Sequence, residues 1–194
     1  MALPLNREQA LELLRAHNKD QHDFYHYLES EAVMGALAER LGEDRGYWGM
    51  LGLLHDVDWG ETKNDTPLHL TLAPSILREA GFDDEFVRII VSHGYGFDCA
   101  GLKDKKRESR VEHALACAET VTGLIHSYGL MRKGLAGMEV SGLKKKFKDK
   151  KFAAAIDRDI IMECEKIGLG LDEFLGIAIK AICGIAGDVG FGSL

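Results

Sequence analysis

Apolar residues recur at intervals of three and four along nearly the whole chain, and strand-like alternation is almost absent, so the backbone is restricted to helices. Only three prolines interrupt the pattern. The expected class is therefore all-α.

Helix boundaries follow from caps and breaks. A first helix is expected from Asn6, as N-cap with Glu8 in the first turn, to about Ala16. The polar cluster 17–23 interrupts the pattern before a second helix from Phe24 to Leu41, closed by Gly42. A third is expected from Arg45 to Val57. The stretch WGETKN reads as a loop, and Thr66 with Pro67 as the start of a fourth helix, which puts His69 in its first turn and its end near Gly81. Asp83 and Asp84 open a fifth, closed by Gly94 and Gly96. Residues 98–110 read as a mobile polar connection. A sixth helix is expected from Glu108 to Tyr128, with Val111, Leu115, Ala118, Thr122 and Ile125 on one face. The basic run 143–151 reads as solvated surface, helices are expected over about 157–167 and 172–186, and the tail GDVGFGSL reads as loose. No repeat or linker divides the chain, so one domain over 1–194 is expected, with the C-terminal helices 152–187 completing the bundle.

Composition limits the function. Hydrophobic residues at 46% and charged residues at 28% suit a globular chain, and a net charge of −7 offers no general attraction to nucleic acid. An anionic substrate needs local positive charge, and a bound metal ion is one source. The cysteines Cys99, Cys117, Cys164 and Cys183 are too scattered for a CxxC site, which points to reduced, buried thiols in the cytoplasm. The N-terminal MALPLNREQALELL lacks a basic region followed by an apolar segment, so no signal peptide is expected. No 18-residue apolar run suggests a membrane span.

Histidines and carboxylates carry the chemistry. His55 and Asp56 end the apolar run of LGLLHDVD. At 100° per residue His26 falls within about 20° of Val33 and Leu37, on the core side of its helix. His93 continues the stripe of Phe86, Ile89 and Ile90, and Glu119 lies about 80° round from Val111, on the flank of the sixth helix. With His69, these residues offer imidazole and carboxylate together, a donor set for zinc, iron, manganese, cobalt or nickel. They exceed one tetrahedral site, so one or two ions are open, with Asp56 able to bridge. A histidine taken singly is more often a satisfied core residue. His17, His22, His113 and His126 are left in that background, and His22 lies one turn before His26. Asp58 suits either a carboxylate orienting a ligand or a cap for the next segment.

The ordered set resembles the HD superfamily of metal-dependent phosphohydrolases. The resemblance rests on His26 in YHYLESEAVMGALAERLG, His55 and Asp56 in GLLHDVD, His69 in PLHLTLAPSILREAG and His93 in IIVSHGYG, and spans about residues 24–128. It implies an HD-type helical bundle with a metal site between helices. His26, His55, Asp56 and Glu119 would hold a first ion, and His69 and His93 a second ion or the phosphate. Asp56 and Asp58 would be the catalytic carboxylates. Two departures stand out. Glu119 in CAETVTGLI occupies the place of an Asp in phrases like AADELTGLI, and HDVDWG lacks the lysine some members carry after the doublet. Lys63 is the nearest, and Arg78, Lys103, Lys105 and Lys106 are other phosphate-binding candidates, as are backbone N–H groups near Thr66. The implied activity is hydrolysis of a small phosphate ester or nucleotide by metal-activated water. A di-iron oxygenase and an inactive ligand-binding or partner-binding domain are the alternatives, and a homo-oligomer is left open.

Overall fold

The computed structural model describes residues 3–192. Met1, Ala2, Ser193 and Leu194, which belong to the terminal segments considered above, lie outside that description. The described residues form helices and turns without a strand.

Ten α-helices follow one another: α1 Arg7–His17, α2 Gln21–Leu41, α3 Arg45–Leu54, α4 Trp59–Thr62, α5 Ala73–Glu79, α6 Asp84–Ser92, α7 Arg110–Arg132, α8 Val140–Lys148, α9 Arg158–Ile161 and α10 Leu171–Cys183. Short 3-10 turns cover Thr66–Leu68 and Met162–Ile167. Local chemistry sets most starts. Asn6 and Gln9 form a reciprocal capping box on α1, Ser109 and Glu112 another on α7, and Asp20, Asp44 and Asp83 cap α2, α3 and α6 through their carboxylates. Gly42 ends α2 in the left-handed conformation that its missing Cβ permits.

The centre of the bundle is α7, which buries Leu115, Cys117, Ala118, Val121, Leu124 and Ile125 around much of its circumference. Its burial is wider than the single apolar face read from sequence. Helices α2, α6, α10 and the Met162–Ile167 turn all pack on it. Helix α2 also packs along α3, and the approach is close: a Cβ on Gly52 would lie 2.4 Å from the Ser30 carbonyl oxygen. Only glycine fits there.

Several expectations need correction. Helix α2 starts at Gln21, inside the polar cluster, because the Asp20 carboxylate accepts from the His22 N–H. Trp59–Thr62 is helical, not loop. Thr66 and Pro67 begin only a 3-10 turn, and His69 lies just after it; the next helix waits until Ala73, where Pro74 fills the first turn. The connection 98–110 buries Cys99 and Leu102, and the tail buries Val189 and sets Phe191 against the His126 ring at 4.8 Å. The four cysteines are free thiols. No helix among the described residues is long and apolar enough to cross a membrane.

Candidate metal centre

Asp56 lies in the turn after α3, with four imidazoles around it. His26 comes from α2, His55 from the end of α3, His69 from the segment before α5 and His93 from the end of α6. The carboxylate divides them into pairs. Its Oδ2 lies 3.4 Å from His55 Nε2 and 3.7 Å from His26 Nε2, while its Oδ1 lies 3.2 Å from both His69 Nε2 and His93 Nε2. Two sets of three donors result, His26–His55–Asp56 and Asp56–His69–His93, each with its donor atoms within 4.8 Å of one another.

The other ring nitrogen of each histidine is already engaged, and those partners set the tautomers. His55 Nδ1 donates to the Gly52 carbonyl at 2.8 Å and His93 Nδ1 to the Ile90 carbonyl at 2.7 Å. His69 Nδ1 donates to the Asp58 carboxylate at 3.0 Å. His26 Nδ1 lies 2.9 Å from Thr122 Oγ1, whose own proton goes to the Glu119 carbonyl at 2.6 Å, so Thr122 accepts. Every Nε2 is thereby left as the inward-facing atom, a lone pair in the neutral ring. Yet His26 and His55 meet Nε2 to Nε2 at 3.0 Å, and His69 and His93 at 3.2 Å. Two lone pairs at that separation need positive charge between them, from a proton or a metal ion.

The titration of these groups follows the same logic. Burial and the neighbouring His55 depress His26 to about 3. Burial also lowers His93, whereas for His55 burial is outweighed by the Asp56 charge and the ring is raised. Burial of His69 is outweighed by Asp56 and Asp58, which hold it up to about 10. Asp56 is buried too, but the surrounding histidines keep its carboxyl well below its ordinary value. In each pair one ring is pushed down and the other held up beside the one carboxylate. Imidazole nitrogens aimed at a bridging carboxylate are donors that a divalent transition metal accepts, so the residues fit such an ion.

Packing beyond the rings keeps the pairs together. Leu70 adopts φ 68°, a left-handed conformation unfavourable for leucine, and is buried directly after His69. Its side chain fills the space above Gly94, directly after His93: a Cβ on Gly94 would stand 2.4 Å from Leu70 Cδ1. Arg107 donates to the carbonyls of Ser92, His93 and Tyr95 at 3.0, 3.2 and 2.9 Å, fastening the end of α6.

A sequence model of the HD domain matches residues 23–121. This chain belongs to the HD domain family. No curated protein and no solved structure matched it in the corresponding comparisons. The HD segment therefore places the protein in a superfamily of largely metal-dependent hydrolases, and its His/Asp cluster fits a metal site.

The HD doublet, His26, His69 and His93 lie together around the Asp56 carboxylate, and Glu119 stands apart. It lines the cavity of about 610 Å³ that opens onto His26, Asp56, His69 and His93, without joining either set of three. Its carboxylate accepts from Thr120 Oγ1 at 2.5 Å, and burial raises it to about 7. Asp58 makes no side-chain cap bond to the segment that follows it, α4, and reaches His69 and α5 instead. One oxygen holds His69, and the other accepts from the backbone N–H groups of Leu72 and Ala73 at 3.1 Å each, capping α5.

Sequence reasoning missed Thr122 and Arg107. Thr122 falls by helix phase on the apolar face of α7, although a hydroxyl on a helix facing a candidate ligand is a readable signal for a ring partner. Arg107 sits in a charged run where nothing local separates a buried guanidinium from solvated neighbours. The histidines left in the background remain outside the cluster. His17, His113 and His126 pair with Glu61, Glu163 and Glu29, and His22 is exposed.

Proposed function

We propose that this chain is a metal-dependent phosphohydrolase that cleaves a small phosphate ester by attack of water. His26, His55 and Asp56 would hold one divalent transition-metal ion, and Asp56, His69 and His93 a second. Such ions, when bound, make hydroxide accessible near neutral pH and neutralise charge on a phosphoryl oxygen. The protein's part is orientation. Asp56 bridges the two sets, while Gly52, Ile90, Asp58 and Thr122 keep each Nε2 facing inward. We assign Glu119 the handling of a proton at its carboxylate, from the cavity wall where Thr120 anchors it. Trp59 and Ile160 limit water on the adjoining walls.

One observation carries the proposal: four imidazoles each have Nδ1 engaged with an acceptor and Nε2 directed at a shared carboxylate. The packing of α10 on α2 and a buried core that runs from Ala10 to Val189 support reading the C-terminal helices as part of the same unit. Elemental analysis of purified protein, followed by assay of the metal-replete form on phosphate esters, tests the function. Bound transition metal with ester hydrolysis is expected; metal-replete protein that hydrolyses none contradicts it. The bridging position of Asp56 also favours a second reading, an iron pair in an oxygenase. Iron as the native metal, with turnover that consumes oxygen, would select that reading.

A further inference from the structure

The cavity over Asp56 is lined, beyond its histidines, by apolar and acidic side chains. Trp59, Phe97, Cys99, Ile156 and Ile160 form the apolar wall, and Glu119, Asp98 and Asp157 are its carboxylates besides Asp56. No lysine or arginine lines it among the described residues, and Met1, Ala2, Ser193 and Leu194 bring no cationic side chain.

None of the cationic candidates for phosphate lines the cavity. Lys63 is paired with Asp20 and Asp23 at 3.0 and 2.9 Å, and Arg78 with Asp84 at 2.9 Å. Lys103 stands 3.7 Å from Asp98 without lining the cavity, and Lys105 and Lys106 are exposed in the same connection. The nearest helix start is engaged as well. The first N–H groups of α5 point at Asp58, and the Thr66–Leu68 turn is too short to offer a helix terminus.

The mouth has the same character. Leu68 and Phe97 are 49% and 45% exposed, and the Ala100 N–H donates to the Pro67 carbonyl, so the segments carrying them meet beside the cavity. A volume of about 610 Å³ is that of a small-molecule pocket. Bound ions at Asp56 could neutralise one phosphoryl group. Further phosphates would face carboxylates and aromatic or aliphatic wall with no cation to meet them.

We propose that the site takes a phosphate ester with a single phosphoryl group and an uncharged, apolar organic group, and disfavours nucleoside di- and triphosphates. This rests on the phosphohydrolase reading and narrows it to a substrate class. Specificity comes from the apolar wall and from the acidic rim at Asp98 and Asp157.

Calorimetric binding to manganese-loaded protein separates the two levels. Phenylphosphonate is expected to bind at least about tenfold more tightly than methylphosphonate, because its ring buries apolar area, and more tightly than a methylene-bridged nucleoside triphosphate. Tighter binding of the triphosphate analogue overturns the substrate class. The exposed Asp98→Lys change is expected to raise affinity for that analogue by a larger factor than for phenylphosphonate, and no such selective gain counts against the acidic rim. Turnover is then compared on phenyl phosphate and ATP. A higher kcat/KM on ATP overturns the substrate class and leaves the phosphohydrolase reading standing. Binding in the expected order without hydrolysis of any ester overturns the phosphohydrolase reading and leaves the ligand class standing.

Discussion

Asp58 ties His69 to the start of α5: one carboxylate oxygen accepts from the His69 ring at 3.0 Å, and the other from the first N–H groups of the helix at 3.1 Å. Ring orientation and helix initiation therefore depend on one fully buried side chain. Asp58→Ala removes the acceptor for three N–H groups at once. Loss of roughly 2–4 kcal/mol of stability is expected in denaturant melts, with metal affinity reduced about 10–100-fold in titrations. Asp58→Asn keeps one acceptor oxygen, so its losses should be smaller. Wild-type metal affinity in the alanine variant would show that His69 needs no such support.

The HD doublet should behave differently. His55→Ala and Asp56→Ala are both expected to abolish hydrolysis while circular dichroism shows helix content close to wild type, since α3 ends before either residue. Asp56 lies in both donor sets, so its loss should remove all metal. His55 lies in one set, and its variant separates one ion from two: residual metal at His69 and His93 would be measurable by elemental analysis.

Glu119→Gln tests whether the longer carboxylate is a ligand or a proton carrier. Its side chain bonds Thr120 and joins neither donor set, so metal content should be retained while kcat falls by about 10²-fold or more. Loss of metal in this variant would make Glu119 a ligand. Glu119→Asp should also keep metal, and would recover activity only if the shorter carboxylate still reaches the substrate.

How much of this was legible depended on whether a signal was local. His26, His55 and His93 could be placed because helix phase alone puts them on buried faces, and Asn6, Gly42 and Asp83 marked their helix ends by chemistry within a few residues. His69 follows a 3-10 turn and does not stand in the first turn of a helix. Thr66 and Pro67 satisfy the pattern of a helix start, but the carboxylate that initiates α5 is Asp58, fourteen residues before Leu72, and a cap from that distance leaves no periodic trace. Arg107 and the Val189–Phe191 tail failed for a related reason: their partners lie on other helices, so polarity and glycine content made both look solvated. The convergence of the five donors was inferred from family resemblance, since the chain's periodicity determines faces and not which faces meet.

The Arg107–Glu163 pair should make the protein acid-sensitive. Although burial raises the Glu163 carboxyl, its hydrogen bonds with Arg107 and His113 and their charges dominate and hold it below the ordinary value of 4.5. A depressed folded-state value means that the contribution is fully present above about pH 4.5 and is lost as pH falls through the lower folded value. Urea melts across that range should show the loss, and Glu163→Gln should flatten it. Arg107→Met is expected to cost roughly 1.5–3 kcal/mol, because Glu163 loses its charged guanidinium partner and keeps only His113. An unchanged acid limb in Glu163→Gln would place the sensitivity elsewhere.

Gly52→Ala tests the tightest contact behind the metal centre. The added methyl would start 2.4 Å from the Ser30 carbonyl oxygen and 2.7 Å from its carbon, both backbone atoms of α2 that no rotamer change can move. Helix α3 must therefore shift away from α2, at an expected cost of about 1–3 kcal/mol. The shift also reaches the site, because His55 Nδ1 donates to the carbonyl of this same residue at 2.8 Å while His26 projects from α2. Moving one helix against the other separates the pair that now meets at 3.0 Å. Weaker metal binding should accompany the lower melting temperature, more so than in Gly123→Ala, whose new methyl would meet only the flexible end of Ile156. Metal affinity equal to wild type in Gly52→Ala would show that the two helices can part without disturbing the donor set.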